Sequence, residues 1–225
     1  MSYPLRYAVL IDGGFLIVKL QQRLKAFPSA DHVEAVSDAI AAHECVKNLE
    51  RLRVYFYHAR PATSKITNPI SKQVTNLANT QVYRDHERLL DTIELRPDFA
   101  LRLGETVTQE WKLGSKAMKS VLKSPRPIAA ADLVPNIGQK GVDLRIGLDI
   151  ARLALTQSVQ AIVAITGDSD LIPAFKFARR EGLRVFLCHF NHGIKRDLKA
   201  HADRIIDLPL ASLGSNAKKP ERSKS

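Results

Sequence analysis

The chain has 225 residues, 45% hydrophobic and 25% charged, enough apolar matter for one large core or for one domain carrying an insertion. A formal net charge of +11 points to an anionic partner, nucleic acid first and an acidic membrane surface second. Two isolated cysteines, Cys45 and Cys188, exclude a disulfide framework and a zinc-binding spacing, and the absence of a long apolar N-terminal or spanning segment makes a cytoplasmic protein the expectation.

In chain order, Arg6 to Asp12 is a short apolar run ending in a carboxylate. Gly13-Gly14 lets the backbone turn, and Phe15 to Leu24 resumes with helical spacing. A turn-stabilising Asp is the ordinary explanation of Asp12, but the buried run before it favours a central strand ending at a crevice. Asp31 to Glu50 is expected to be a helix capped by Ser29 or Asp31, and Leu52 to His58 a strand rich in β-branched and aromatic residues. His58 could approach a site or bind a phosphate, though such a histidine more often only finishes a strand. Residues 59–68 have loop composition, Ile70 to Leu95 has long helical character, and Phe99 to Gly104 is a third strand.

Between Glu105 and Gly138 the periodicity weakens. Trp111 lies among Lys112, Lys116, Lys119, Lys123 and Arg126, the footprint of single-stranded nucleic-acid binding by stacking and phosphate contacts. A surface helix with one half-buried Trp explains it equally well. From Gln139 to Leu155, Ile146, Ile150 and Leu153 mark the inner face of a helix. Asp149 falls beside that face, where an unpaired carboxylate needs a cation or hydrogen bonds. Asp143, about two turns earlier, suits the helix start as cap, outer ligand or substrate contact. Lys140 and Arg145 add positive charge suited to a phosphate backbone.

Ala161 to Ile165 is an unbroken apolar run, the mark of a strand buried on both faces. Gly167 ends it, and Asp168 and Asp170 follow immediately before a helix that carries Pro173 in its first turn and ends at Gly182. One carboxylate suffices to cap that helix. The second, with Asp12 at a matching place, favours a metal site. Leu183 to Phe190 is a further strand, Arg204 to Pro209 a terminal edge strand, and residues 211–225 a basic tail expected to be disordered.

Alternating buried strands and helices imply a three-layer α/β/α sandwich with a mainly parallel central sheet. Val9-Leu-Ile-Asp-Gly-Gly14, Lys140-Gly-Val-Asp-Leu144 leading to Asp149, and Ile165-Thr-Gly-Asp-Ser-Asp-Leu171 occur in this order. With these pieces the chain resembles the NYN domains, in particular the LabA-like members of the PIN superfamily. The resemblance runs from about residue 6 to 208, in outline only over 60–135. It implies one PIN-like domain over residues 1–210 and a ribonuclease whose acidic cluster binds Mg²⁺ or Mn²⁺. Carried onto this chain, Asp12, Asp149 and Asp168 match the core ligands, Asp170 a further acidic position, and Asp143 the Lys-x-Val-Asp motif. RNA is the implied partner; Lys140, Arg145, Lys112, Lys116 and Lys119 are the residues whose own charge pattern suits contact with it, and a homo-oligomer stays open. One departure is Gly14, where many NYN domains carry Asn. Hard divalent cations prefer carboxylate oxygen, which agrees with the same set independently.

Two other classes compete. A PIN-like module could bind RNA or a protein with little turnover, and a metal-dependent phosphatase or nucleotidase would use similar acids. Gly13-Gly14 after Asp12 fits neither the Asp-x-Asp pair of a haloacid-dehalogenase-type enzyme nor the Gly-x-Gly-x-x-Gly of a dinucleotide fold.

Overall fold

A computed structural model describes residues 4–210, the side chain of Glu110 excepted. The basic tail at 211–225 lies outside the described residues. Strand β1 (Arg6–Asp12) runs into helix α1 (Gly13–Leu24), then α2 (Ala30–Ala41) and β2 (Glu50–Ala59). A small hairpin follows, β3 (Lys65–Thr67) and β4 (Val74–Asn76), and then α3 (Gln81–Glu94). Strand β5 (Phe99–Leu113), α4 (Ser115–Lys123) and β6 (Leu133–Lys140) form an excursion that returns to α5 (Val142–Leu155). The chain closes with β7 (Ala161–Ile165), α6 (Ile172–Arg180), β8 (Arg184–Cys188), α7 (Arg196–Ala200) and β9 (Arg204–Ile205).

The seven-stranded sheet has the order β6-β5-β2-β1-β7-β8-β9. Every neighbouring pair is parallel except β5 and β6. β1 therefore stands between β2, which follows it, and β7, which starts the other half of the sheet. Such a reversal of winding leaves a crevice at the carboxyl ends of the two strands, because the helices that follow them leave to opposite faces. The buried alternation of β1 produces both faces: Tyr7, Val9 and Ile11 pack with α1, α2 and α3, while Ala8 and Leu10 pack with α5 and α6. Burial on both sides fixes the register, since a slip of one residue would exchange the two cores.

Three expectations are corrected in extent. The helix expected over 31–50 ends at Ala41, and residues 42–49 form turns before Glu50 N–H donates to Leu5 O and opens β2. The helix expected over 70–95 occupies only Gln81–Glu94, with Thr80 as its cap. Upstream, Asn68 Oδ1 accepts from the amides of Ile70 and Ser71 at 3.0 and 3.1 Å, and this side-chain turn folds the hairpin β3–β4 instead. The third strand does not stop at Gly104. Phe99–Gly104 pairs with β2, and the continuation pairs antiparallel with β6 as far as Leu113. None of the described helices is long and apolar enough to cross a membrane.

The close junction of β1, α1 and β2 depends on Gly13. A Cβ there would lie 2.6 Å from Tyr57 O and 2.8 Å from the Phe56 ring, whereas at Gly138 it would meet nothing within 4 Å. Gly13→Ala should therefore cost about 1–3 kcal/mol in chemical denaturation, and Gly138→Ala should stay within about 0.5 kcal/mol of the parent. Equal effects would contradict this packing.

Candidate active site

Asp12, the last residue of β1, caps α1. Its Oδ1 accepts from Phe15 N–H at 3.0 Å, and its Oδ2 accepts from the Thr166 hydroxyl at 3.2 Å. Thr166 is buried just beyond β7, and its Oγ1 also accepts from Asp168 N–H at 3.0 Å. One hydroxyl thus bridges the ends of β1 and β7. Asp168 Oδ1 accepts from Asp170 N–H at 2.9 Å and caps the short turn Ser169–Leu171 that leads into α6. Gly167 is required here: a Cβ would stand 2.8 Å from the Phe15 ring and 3.1 Å from His192.

Asp143 enters from the other segment, in the first turn of α5. Burial pushes the Asp12 carboxyl above its ordinary range. The bonds from Phe15 and Thr166 pull it back, and the negative charges of Asp143 and Asp168 add to the rise. Asp143 is raised by burial and then by Asp168 and Asp170. These four acids share one electrostatic environment. All four stand at the starts of helical turns, where unpaired amides and the helix dipole favour negative charge.

Asp149 is held differently. Its Oδ2 accepts from the Tyr57 hydroxyl at 2.9 Å and from Arg102 Nε at 3.1 Å, and the Arg102 guanidinium lies over the Tyr55 ring at 5.2 Å. Burial, and then Asp149, hold Tyr57 well above its usual range, so its hydroxyl stays a donor. Asp149 lies roughly 9 Å along α5 from Asp143 at ~1.5 Å per residue. The hydrogen bonds expected as an alternative to a cation are present.

No three His, Cys, Asp or Glu side chains among the described residues form a ready cage for an ion. Mg²⁺ does not need one, because it keeps several waters and is bound through one or two carboxylates. Asp12, Asp143 and Asp168 offer hard carboxylate oxygens, the donor type that hard divalent cations take.

The basic residues divide between two places. Past Gly104, β5 leaves the carboxyl edge of the sheet and with β6 forms an arm of roughly 30 Å at ~3.3 Å per residue. Lys112 lies on β5, and Lys116 and Lys119 lie on α4; all are exposed. Trp111, opposite Pro135, is half-buried and lines a shallow depression together with Lys65 to Thr67. Lys140 sits at the base of the arm, opposite Glu105, three residues before Asp143. Arg145 folds back so that its Nη1 donates to Gly141 O at 3.0 Å. His58 does not offer a charge to phosphate: burial first, then His86, lowers its pKa to about 4.

Sequence reasoning missed Thr166, Tyr57 and Arg102. The available signal was Arg102 itself, a charge inside the apolar run of Phe99 to Gly104. Because Arg102 and Asp149 are only partly exposed, Arg102→Met should cost about 1–2 kcal/mol by leaving a carboxylate short of a donor. In urea titrations the penalty should shrink in an Asp149→Leu background, and Mg²⁺ should not restore it. Additive losses would contradict the pairing.

Residues 79–210, more than half of the chain, match the family model of the NYN domain. The match covers Asp143, Asp149, Asp168 and Asp170 and begins after Asp12. No curated protein matches the chain. A protein of unknown function from Vibrio parahaemolyticus RIMD 2210633, known as a crystal structure, aligns with TM-score 0.53 and 13% identity over 92% of this chain and 95% of its own. That likeness is one of fold. The family match gives the kinship: the chain belongs to the NYN domain family, within the PIN-like nuclease superfamily.

Proposed function

We propose that this protein is a ribonuclease that hydrolyses phosphodiester bonds of single-stranded RNA with Mg²⁺ or Mn²⁺. The observation that carries the reading is the approach of Asp12 and Asp168 at the crevice between β1 and β7, where the Thr166 hydroxyl donates to Asp12 and accepts from the Asp168 amide, with Asp143 close enough to raise the Asp12 pKa. Asp12, Asp143 and Asp168 would hold the cation, with Asp170 beside them. When bound, the ion supplies charge stabilisation at the phosphoryl oxygens and a more acidic water. The side chains do the rest. Thr166 and the Phe15 amide fix both Asp12 oxygens, and the Asp170 amide fixes Asp168, so these carboxylates keep their orientation without ordering at the moment of reaction. Asp149 orients Arg102 and Tyr57, and takes a ligand role only where Arg102 yields. Lys140 and the arm lysines would hold the phosphate backbone, with Trp111 offering a face for a base.

The second reading, an RNA-binding module with little turnover, is favoured by the pairing of Asp149 with Arg102, which removes one acid from the set. Cleavage assays separate the two. Asp168→Asn should reduce metal-dependent cleavage of single-stranded RNA at least a hundredfold and leave RNA binding intact. Replacing Lys112, Lys116 and Lys119 with Ala should weaken binding and lower the slope of log affinity against log salt by about 2. Equal cleavage by wild type and Asp168→Asn would assign the activity to a contaminant. Binding without cleavage in Mg²⁺ and Mn²⁺ would select the module.

Mutual repulsion also has a thermal signature. Mn²⁺ should raise the melting temperature of the wild type by mass action and should not do so in Asp168→Asn. A shift that survives the substitution would locate the ion elsewhere.

A further inference from the structure

The carboxyl edge of the sheet carries a second feature that the acidic crevice does not use. His58 follows Tyr57 in β2, and Tyr57 stands opposite Asp12 in register. Alternation sends the two rings to opposite faces: Tyr57 towards α5 and Asp149, His58 towards α3. There His58 lines a cavity of about 440 Å³ between β2, α3, the hairpin β3–β4 and the arm. This lies within the range of roughly 300–1,000 Å³ typical of ligand sites.

The walls define what fits. Pro61, Leu77, Val82, Pro135 and Ile137 make them apolar, and among the described residues no acid, lysine or arginine lines the cavity. His58 and His86 stack at 5.4 Å between centroids and 15° between planes, and His86 packs on Phe27 at 4.6 Å. His58 is 3% exposed. Its Nδ1 stands 3.0 Å from Gln139 Nε2, and its Nε2 has no hydrogen-bond partner. With the Gln139 amide donating to Nδ1, the neutral ring carries its proton on Nε2, leaving a buried donor without an acceptor. That nitrogen has almost no accessible surface, so His58 forms the wall of the cavity through its ring and its contact with Gln139, not as a donor to a ligand. The walls are also held in advance: Arg60 binds Glu87 and Asp91 of α3, and Thr106 donates to Arg60 O.

An uncharged, flat ligand with an apolar body fits these walls, and the Gln139 side chain can meet polar atoms at its edge. A phosphate does not, because no cationic side chain among the described residues lines the cavity. The cavity and the acid crevice share one sheet edge, and Lys140, at the base of the arm, follows the lining residue Gln139. We propose that this cavity receives a nucleobase of single-stranded RNA whose backbone runs along the acidic crevice, with the apolar walls and the His58 ring enclosing the base and Gln139 at its edge. The position of the RNA rests on the nuclease reading, whereas the recognition of a base stands on the cavity itself.

The test uses the whole chain in EDTA, so that cleavage cannot intervene, and follows the imidazole NMR signals of His58 and His86. A single-stranded RNA hexamer should shift both signals, and a fully abasic hexamer should leave them in place. Ile137 is 41% exposed, so Ile137→Trp can fill the mouth of the cavity without disturbing the core. It should abolish the shifts and weaken hexamer binding at least tenfold. Equal shifts from both hexamers, silent histidines, or an unaffected Ile137→Trp variant would overturn the proposal, as would a response to adenosine monophosphate with none to the hexamer. Silent histidines in a protein that cleaves RNA would refute the base pocket alone. Responding histidines in a protein that never cleaves would refute the nuclease reading and keep the pocket.

Discussion

The site depends on negative charges held near one another at the one point where the winding of the sheet reverses. Asp12, Asp143 and Asp168 come from three separate segments; Asp143 and Asp168 raise the cost of ionising Asp12, and Asp168 and Asp170 that of ionising Asp143. The fold offsets that cost locally. Asp12 and Asp168 each accept a backbone amide, and Asp143 lies in the first turn of α5. Helix capping and site building are therefore the same geometry here. The apolar runs that bury β1 and β7 on both faces hold the caps in register, so a change deep in the sheet would reach the crevice through Thr166.

Asp149 marks the boundary of this arrangement. It shares α5 with Asp143, yet Arg102 and Tyr57 meet it from β5 and β2. A carboxylate on a nearly buried helix face was bound to find a partner, and this chain supplies one from its own sheet. The pairing also ties the root of the arm to α5, because Arg102 stands two residues before Gly104, where β5 leaves β2 and begins to pair with β6. The surface that carries Lys112, Lys116 and Lys119 is thereby anchored to the element that carries Asp143.

Much of this was legible in the sequence. The continuous apolar runs ending in Asp12 and at Gly167 identify parallel strands and the edge at which their acids emerge, since period and punctuation are local properties. The helix bearing Asp143 and Asp149 was legible for the same reason. What the sequence hid was set by partners distant along the chain. The arm could not be read because β5 and β6 satisfy each other only after the chain has travelled through α4. The hairpin β3–β4 was masked by a helical pattern that Asn68 overrides with its own side-chain turn. Arg102 was visible as a charge in an apolar strand, but its partner, 47 residues away, was not.

The central claim is that a divalent cation belongs with Asp12, Asp143 and Asp168 and not with Asp149. Anomalous diffraction from crystals soaked in Mn²⁺ tests it most directly. The account expects a manganese peak in the crevice between β1 and β7, within coordination distance of carboxylates from Asp12 and Asp168, with Arg102 still paired to Asp149. A peak on Asp149 with Arg102 displaced, or full occupancy elsewhere on the chain, would contradict it.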